Sequence, residues 1–267
     1  MHPSLLLDIQ YGLISMALIL PRALVCLTIV PGFGIRTLTG MAKNAVAVAL
    51  SLPALIPTFW QIQQTPPDVM MICVLSFKEA CIGLLLGTVM AMPMWVAQSV
   101  GSILDTQRLP IQVQANNASV DRDASALGAM LLQAVILLMI QAGLLIAFVR
   151  ILLESYGVWP PFSMAPPFEK GQFDVLVKQF SEFFWHIIVY GGPVLIPLLL
   201  VDFGVSMVGS FASNLQISSV SSPLKCIIGL FILLVYWPTF SQYVVGDFSH
   251  ALDFTASLLQ ARGQVSR

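Results

Sequence analysis

The stretch that decides the fold is Asp105–Asp123, which reads DTQRLPIQVQANNASVDRD. Long apolar runs, Val69–Leu104 and Ala124–Leu153, stand directly before and after it. An unpaired backbone amide in lipid costs several kcal/mol, so a polar segment of this length cannot face hydrocarbon. It must lie in water, in a pore or against another protein.

The composition indicates a membrane protein. The 267 residues are 57% hydrophobic and only 9% charged, with a mean hydropathy of +0.88. An ordinary soluble domain carries about 25% charged residues, and a soluble fold made from this sequence would lack the polar surface to cover itself. The net charge of −1 gives no indication of a nucleic-acid partner. We therefore predict an all-α integral membrane protein.

A helix needs about 20 apolar residues to cross the hydrocarbon core of a bilayer. Six segments qualify: Gly12–Pro31, Ala42–Trp60, Val69–Leu104, Ala124–Leu153, Phe183–Phe211 and Leu224–Val245. An amphipathic helical tail, Phe248–Gln260, is predicted to follow at the interface. His2 and Asp8 stand where a signal peptide carries basic residues, so we expect the first segment to be retained. The whole chain, 1–267, is predicted to form a single helical membrane domain.

Prolines interrupt almost every one of these segments, and we expect Pro21-Arg22 to break the first of them. Proline removes a backbone hydrogen bond and kinks a helix, and the freed carbonyl needs a partner from protein or water. The set favours kinked or broken helical hairpins packed in a larger helical assembly. Before the fifth segment, Phe173–Phe184 has the apolar spacing of a separate surface or docking helix.

Five charged residues lie within or at the edges of the apolar runs: Arg22, Lys78, Glu79, Asp202 and Lys225. Charges at membrane depth usually pair or line a polar path. Adjacent residues on a helix point about 100° apart, so Lys78 and Glu79 are expected to take different partners and not to face each other. Asp202 and Lys225 are predicted to pair across a hairpin.

No arrangement of side chains predicts catalysis. The three histidines have no Cys or Glu at ligand spacing, and the four cysteines lie in or beside apolar runs without metal-ligand spacing. We predict no enzyme activity, no cofactor and no metal. Gly83-x-x-x-Gly87, and Gly128 beside small residues, would allow close approach of helices.

The polar segment is rich in uncharged amides, which can line a constriction that hydrogen bonds hold shut. An ordinary solvated loop is the alternative. Leu109-Pro110 prevents a smooth helix through this point. The amide side chains are Gln107, Gln112, Gln114, Asn116 and Asn117.

Asp105-Thr106-Gln107-Arg108 resembles the Asp-x-Gln-Arg-Gly signature of the SctT/FliR family, the export-apparatus membrane proteins of type III secretion systems and of the bacterial flagellum. Leu109 stands where the signature has glycine, which favours the injectisome branch. Further motifs resemble the family in the same order along the chain: Pro21-Arg22 with Pro31-Gly32-Phe33, Lys43-Asn44-Ala45, Lys78-Glu79-Ala80, Pro93-x-Trp95, Asp202-Phe203-Gly204 and Pro223-Leu224-Lys225.

The resemblance implies one subunit of an export gate in the bacterial inner membrane, with part of the complex raised into the periplasm. It implies SctR-, SctS- and SctU-like partners and unfolded secreted proteins as substrates. Residues 105–123 would be the gate segment of a closed channel, with Asp105 and Arg108 in salt bridges between subunits. The hairpin 183–245 would be similar to an SctS-type subunit. Arg22, Lys78, Glu79, Asp202 and Lys225 would be polar contacts within the membrane or between subunits.

Two other hypotheses remain open at this point. A self-contained secondary transporter would hold a small-molecule site at the broken third and fifth helices. A scaffold without a channel segment would tolerate substitutions throughout 105–123.

Overall fold

A computed structural model describes residues 3–33, 39–108, 125–163, 172–211 and 217–260. These residues form α-helices and one short 3-10 turn, Pro31–Phe33, with no strand among them. The predicted all-α fold is confirmed. The helices are α1 Pro3–Ile29, α2 Gly40–Gln64, α3 Val69–Arg108, α4 Ala126–Gln141, α5 Leu144–Val158, α6 Gln172–Phe211 and α7 Ile217–Gln260.

The predicted membrane character is also confirmed. Within the described ranges, α1, α2, α3, α6 and α7 are each long and apolar enough to cross a membrane alone. The pair α4 and α5, whose axes differ by 77°, adds a sixth span if the two bent helices are counted together. The described residues thus hold five spans, or six on that count, against the six predicted from the sequence.

Helix α1 corrects one prediction, since it continues through Pro21 to Ile29 and does not break there. In the same way α6 runs from Gln172 through the predicted docking helix and the fifth span as one element. The predicted tail after Val245 is the end of α7 and not a separate helix. Proline costs one hydrogen bond and some strain, but in α1 the apolar residues on both sides of Pro21, among them Ile19 and Ala23, are fully buried, and this packing holds the helix together.

The prediction of a single segment over Ala124–Leu153 is also wrong, because the structure has two helices, α4 and α5, in its place. The chain divides at Gly143, whose φ of 71° lies in the left-handed region that favours glycine. Gly143 stands where α4 has ended and α5 begins.

The described chain packs as two compact units. The first comprises residues 1–92, 140–177 and 248–267, and the second comprises 93–139 and 178–247. In the first unit α1 packs along α2, and α2 contacts α5. One of its apolar cores joins Leu18, Ile62 and Leu75, and another joins Ile19, Ala54 and Tyr156.

Glycines permit close helix contacts in both units, as the small-residue patterns predict. A side chain at Gly83 would collide with the backbone carbonyl of Arg22, which shows how closely α3 approaches α1. In the second unit a Cβ at Gly101 would lie 2.6 Å from the Cα of Gly128, so α3 and α4 meet glycine to glycine.

Helices α6 and α7 are covered far less by their own chain than α1. In their most apolar windows only 11% of residues are buried, against 39% in α1. Their uncovered apolar side chains require lipid or another protein. On α6 they include Val177, Phe184, Ile188, Leu200, Phe203 and Phe211.

Candidate functional site

The signature carboxylate of Asp105 lies near the end of α3 and binds the beginning of α4. Its Oδ2 accepts hydrogen bonds from Ser125 Oγ at 2.6 Å and from the backbone N–H of Leu127 at 2.8 Å. The residue is only 7% exposed. The first N–H groups of a helix have no partner within it, and a carboxylate there satisfies them and complements the helix dipole. These bonds hold together the two points at which the chain leaves for, and returns from, residues 109–124.

Gln107, two residues further along α3, is held by Lys225 of α7. Lys225 Nζ donates to the carbonyl oxygen of Gln107 at 3.3 Å and also forms an ion pair with Asp202 Oδ1. The predicted pair of Asp202 and Lys225 is therefore present between α6 and α7. A cation at the last carbonyls of a helix is favourable because these carbonyls lack helical partners.

The other residues predicted for the gate segment lie at or beyond the end of the described part of α3. Arg108 ends α3, but its side chain is outside the described part of the structure. Leu109, Pro110, Gln112, Gln114, Asn116 and Asn117 also lie outside the described residues.

In the first unit, Arg22 is fully buried at the centre of a polar cluster. Its Nη2 donates to Glu79 Oε1 at 2.9 Å and to the carbonyl oxygen of Trp159 at 2.7 Å, and its Nη1 donates to Ser155 Oγ at 3.0 Å. The guanidinium carbon lies 4.3 Å from the centre of the Tyr156 ring, a cation–π distance. Arg22 therefore joins α1 to α3 and α5.

Lys78 extends this cluster to the turn that follows α5. Its Nζ donates to the carbonyl oxygens of Pro160, Pro161 and Ser163 at 3.2, 2.8 and 2.9 Å. It also lies 2.9 Å from Glu79 Oε1. The expectation that Lys78 and Glu79 do not face each other is thus wrong, because the long lysine side chain bends back to its neighbour. Each of the two nevertheless has a further partner, as expected.

The cluster of Arg22, Lys78 and Glu79 carries two positive charges and one negative charge. Arg22 Nε and Glu79 Oε2 are buried without a hydrogen-bond partner among the described residues. Oε2 does lie 2.7 Å from Arg22 Nη2, within ion-pair distance, but the geometry is not that of a hydrogen bond. The main-chain carbonyls around Lys78 and Arg22 offset the excess positive charge.

Sequence reasoning missed Ser155, Trp159 and Ser125, which supply partners to the predicted charges. None carries a charge, and two of them lie more than 130 residues from Arg22 in the chain. Within the described residues no group of three or more His, Cys, Asp or Glu side chains is arranged to hold a metal ion.

A cavity of about 340 Å³ opens between α2 and α5 in the first unit. Among the described residues that line it none is charged, and Tyr156 and the turn held by Lys78 contribute to its wall. The lining includes Pro53, Pro57, Thr58, Gln61, Pro160 and Pro161.

These features define a multi-pass helical membrane protein with paired buried charges and a polar segment anchored between two spans. A family profile described as "Bacterial export proteins, family 1" matches residues 13–251. The chain belongs to this family, which confirms the resemblance to the SctT/FliR proteins of type III export apparatuses.

Three relatives show how much of the chain is similar to known proteins of this kind. Over 229 residues the chain is 29% identical to "Yop proteins translocation protein T" of Yersinia pestis, with 85% of this chain and 87% of that protein covered. Over 240 residues it is 24% identical to "Surface presentation of antigens protein SpaR" of Salmonella typhimurium, with 89% and 88% covered. "Flagellar biosynthetic protein FliR" of Caulobacter vibrioides is 26% identical over 155 residues, covering 58% and 61%.

Family membership identifies the chain as a membrane component of a bacterial protein-export apparatus, which is a multi-subunit complex. Proteins of this family are structural components of that apparatus and are not known as enzymes.

Proposed function

We propose that the protein is a subunit of the export gate of a type III secretion system. Residues 105–123 would form part of the closed channel through which unfolded substrate proteins cross the bacterial inner membrane. The proposal includes SctR-, SctS- and SctU-like subunits as partners, with part of the complex raised into the periplasm.

The observation that carries the proposal is the anchoring of the polar segment. Asp105, in the last turn of α3, binds Ser125 and Leu127 at the beginning of α4, and Lys225 of α7 binds the carbonyl oxygen of Gln107 in the same last turn. A channel constriction needs a fixed base, because a segment that closes a pore must resist displacement when the pore is at rest. Both anchors are hydrogen bonds of charged groups, which are stronger than those of neutral ones.

The length of the helices supports partners and a position partly above the membrane. The apolar stretch of α3 spans 39 residues, or about 58 Å of helix at 1.5 Å per residue. A bilayer core is about 30 Å thick. On α6, exposed apolar side chains extend from Val177 to Phe211, again about 50 Å. Hydrocarbon can cover only part of such helices, so other subunits are expected to cover the rest.

The secondary-transporter alternative has less support. It required breaks in the third and fifth predicted segments, yet α3 and α6 each continue through their prolines. The cavity between α2 and α5 lies elsewhere, and the described residues that line it carry no charge.

Assembly is the first test. The chain would be expressed alone and together with SctR- and SctS-like subunits, purified in detergent, and the mass of the intact complex measured. We expect a defined hetero-oligomer in the second case and poor recovery in the first. A stable, monodisperse monomer that does not take up the partners would contradict the proposal.

The channel is tested by Arg108→Ala in the assembled apparatus, with secretion and ion leak across the inner membrane as readouts. We expect increased leak or reduced secretion. Arg150→Ala is the matched control, because Arg150 forms an exposed pair with Glu154 one helical turn away. Wild-type values for both readouts in Arg108→Ala would count against a gate role for residues 105–123.

A further inference from the structure

We propose that the cavity between α2 and α5 binds a neutral amphiphile that carries a hydroxyl or amide hydrogen-bond donor, and that the main-chain carbonyl of Pro53 accepts from this donor. The cavity belongs to the first unit, and the proposal does not depend on the channel role proposed above. The hydrogen-bonding groups of its lining, the charge behind it and its position along the helices each point to this class of ligand.

The cavity has a buried floor and open sides. Its volume of about 340 Å³ is at the lower end of the range of about 300–1,000 Å³ that is usual for small-molecule sites. The buried lining residues form the floor: Ala54, Thr58, Tyr156 and Pro161. Exposed residues of α2 and α5 form the sides: Pro53, Pro57, Gln61 and Gly157. A Cβ added at Gly157 would meet no heavy atom within 4 Å, so this glycine keeps its side open.

One side of the cavity holds a carbonyl that lacks its helical donor. Pro53 and Pro57 stand one turn apart on α2, and both line the cavity. In an α-helix the carbonyl of residue 53 would accept a hydrogen bond from the N–H of residue 57. Proline has no N–H, so this bond cannot form. The carbonyl lies on the side of the helix that the two prolines share, and at membrane depth it requires a donor from elsewhere.

The hydroxyl groups of the floor can accept hydrogen bonds but have already donated their own. Thr58 Oγ1 donates to the carbonyl oxygen of Ala54 at 2.7 Å, and the Tyr156 hydroxyl donates to that of Ile19 at 2.9 Å. A hydroxyl carries a single donor hydrogen, so both oxygens are left as acceptors. Of the described lining residues, Gln61 is the one with N–H groups in its side chain. Such a lining suits a ligand that brings its own donor and not an anion, which needs several donors from the protein.

Positive charge behind the floor disfavours a cation. The Arg22 guanidinium carbon lies 4.3 Å from the centre of the Tyr156 ring. Lys78 Nζ binds the carbonyl oxygens of Pro160 and Pro161, which also line the cavity. With Glu79, these two side chains carry one net positive charge, and solvent screens it little because the cluster is mostly buried. An ammonium group in the cavity would be repelled, so the ligand is neutral.

The position of the cavity favours a ligand that is partly apolar. Helix α2 ends at Gln64 and α3 begins at Val69, and both helices are long enough to span a membrane. This end of α2 is therefore expected near the boundary between hydrocarbon and water. Trp60, which is 59% exposed, stands beside Gln61, and tryptophan is enriched at that boundary. Most of the lining side chains are apolar, so an apolar body with one polar end matches the site.

The test is photolabelling of the export complex in nanodiscs of phosphatidylcholine, a lipid without a hydrogen-bond donor. The probe is 4-(hydroxymethyl)benzophenone, and 4-(methoxymethyl)benzophenone is its counterpart with the same oxygen but no donor. Mass spectrometry measures the labelling of peptides from 53–61 and 153–161 against probe concentration. We expect saturable labelling, with half-saturation by the hydroxymethyl probe at a roughly fivefold lower concentration, as expected for one hydrogen bond. The cationic 4-(aminomethyl)benzophenone should require a higher concentration than the hydroxymethyl probe.

Three variants test the lining. Pro57→Ala supplies an N–H to the Pro53 carbonyl and should bring the two half-saturating concentrations together. Pro53→Ala is the matched control, because it supplies an N–H to the carbonyl of Ala49, which is outside the described lining, and should keep the preference for the donor. Both variants replace proline by the best helix former and should fold. Gly157→Leu should fill the open side and remove saturable labelling by both probes.

The source of the natural ligand is tested by adding diacylglycerol, a neutral lipid with one hydroxyl, to the nanodiscs. Competition with the hydroxymethyl probe would support the site and assign the ligand to the lipids, whereas unchanged labelling at the same residues would support a free amphiphile. Labelling that does not saturate, or equal half-saturating concentrations of the two neutral probes in the wild type, would overturn the proposal. Retention of the full preference in Pro57→Ala, or its loss in Pro53→Ala, would overturn the assignment of the acceptor to Pro53.

Discussion

Arg22 Nη2 lies 2.7 Å from Glu79 Oε2, and neither side chain is exposed. The pair joins α1 to α3, and the same guanidinium reaches Ser155 of α5 and the carbonyl of Trp159 beyond it. Buried pairs of this kind rarely add net stability compared with apolar residues. Removing one partner is nevertheless strongly destabilising, because it leaves the other charge buried and unpaired. The cluster therefore enforces one arrangement of these elements.

Glu79→Gln should destabilise the first unit strongly, because it leaves Arg22 and Lys78 without their shared carboxylate. Loss of one partner of a buried pair typically costs about 3–5 kcal/mol. For a chain of this size that equals a fall of roughly 10 °C in the midpoint of thermal unfolding. The measurement is the fraction of folded protein recovered by size-exclusion chromatography after heating in detergent.

Glu154→Gln is the control for this variant, because it removes the exposed partner of Arg150 and should change stability by at most about 0.5 kcal/mol. The double variant Arg22→Met with Glu79→Leu should lose less than the sum of the single variants. Equal losses in Glu79→Gln and Glu154→Gln would show that the buried cluster does not order the unit.

Gly83→Val should separate α1 from α3. The added side chain would collide with the main-chain carbonyl of Arg22, which cannot move without disturbing α1. Overpacking of this kind costs about 1–3 kcal/mol, and here it also displaces the buried arginine. Reduced recovery of the export complex and increased protease sensitivity are the readouts. Gly157→Ala, where the space around the glycine is open, should leave both unchanged.

Asp105→Ala should loosen the base of the polar segment, because the Leu127 N–H at the beginning of α4 loses its acceptor. Loss of such a cap costs about 1 kcal/mol. Ser125→Ala removes the same hydrogen bond and also the acceptor of the Gly128 N–H, so it should loosen the segment too, and the double variant should lose less than the sum of the two. Cleavage by an added protease between residues 108 and 125 measures the loosening. Cleavage at the wild-type rate in Asp105→Ala would argue against this anchor.

Exchanging the charges of Asp202 and Lys225 separates two functions of the lysine. Lys225→Ala should reduce secretion, because it removes both the ion pair and the hydrogen bond to the Gln107 carbonyl. The exchange Asp202→Lys with Lys225→Asp restores opposite charges but leaves no donor at position 225 for that carbonyl. Secretion should therefore recover only in part. Complete recovery would mean that the contact with Gln107 has no importance for export.

The sequence was sufficient for the class and for the five spans α1, α2, α3, α6 and α7, because these depend on the amount and length of apolar sequence. It was insufficient for the division at Gly143, since the apolar composition continues across it and only one glycine marks the turn. Proline positions were misleading for α1, where packing on α2 outweighs the lost hydrogen bond at Pro21.

The charged residues of the site could be named from the sequence, but most of their partners could not. The intramembrane charges stand out against apolar neighbours, and the pairing of Asp202 with Lys225 follows from their positions in a hairpin. Ser155 and the carbonyls that surround Lys78 carry no signal, because any serine or main-chain oxygen can serve.

The oxygen atoms around Lys78 Nζ explain how the turn after α5 is attached to α3. Three main-chain carbonyls and a carboxylate around a positive charge are the kinds of oxygen that bind calcium in proteins, although calcium takes about six to eight of them. In this chain the cation is part of α3 itself. The attachment is therefore independent of the supply of divalent metal, and chelating agents should leave the Pro160–Ser163 turn in place.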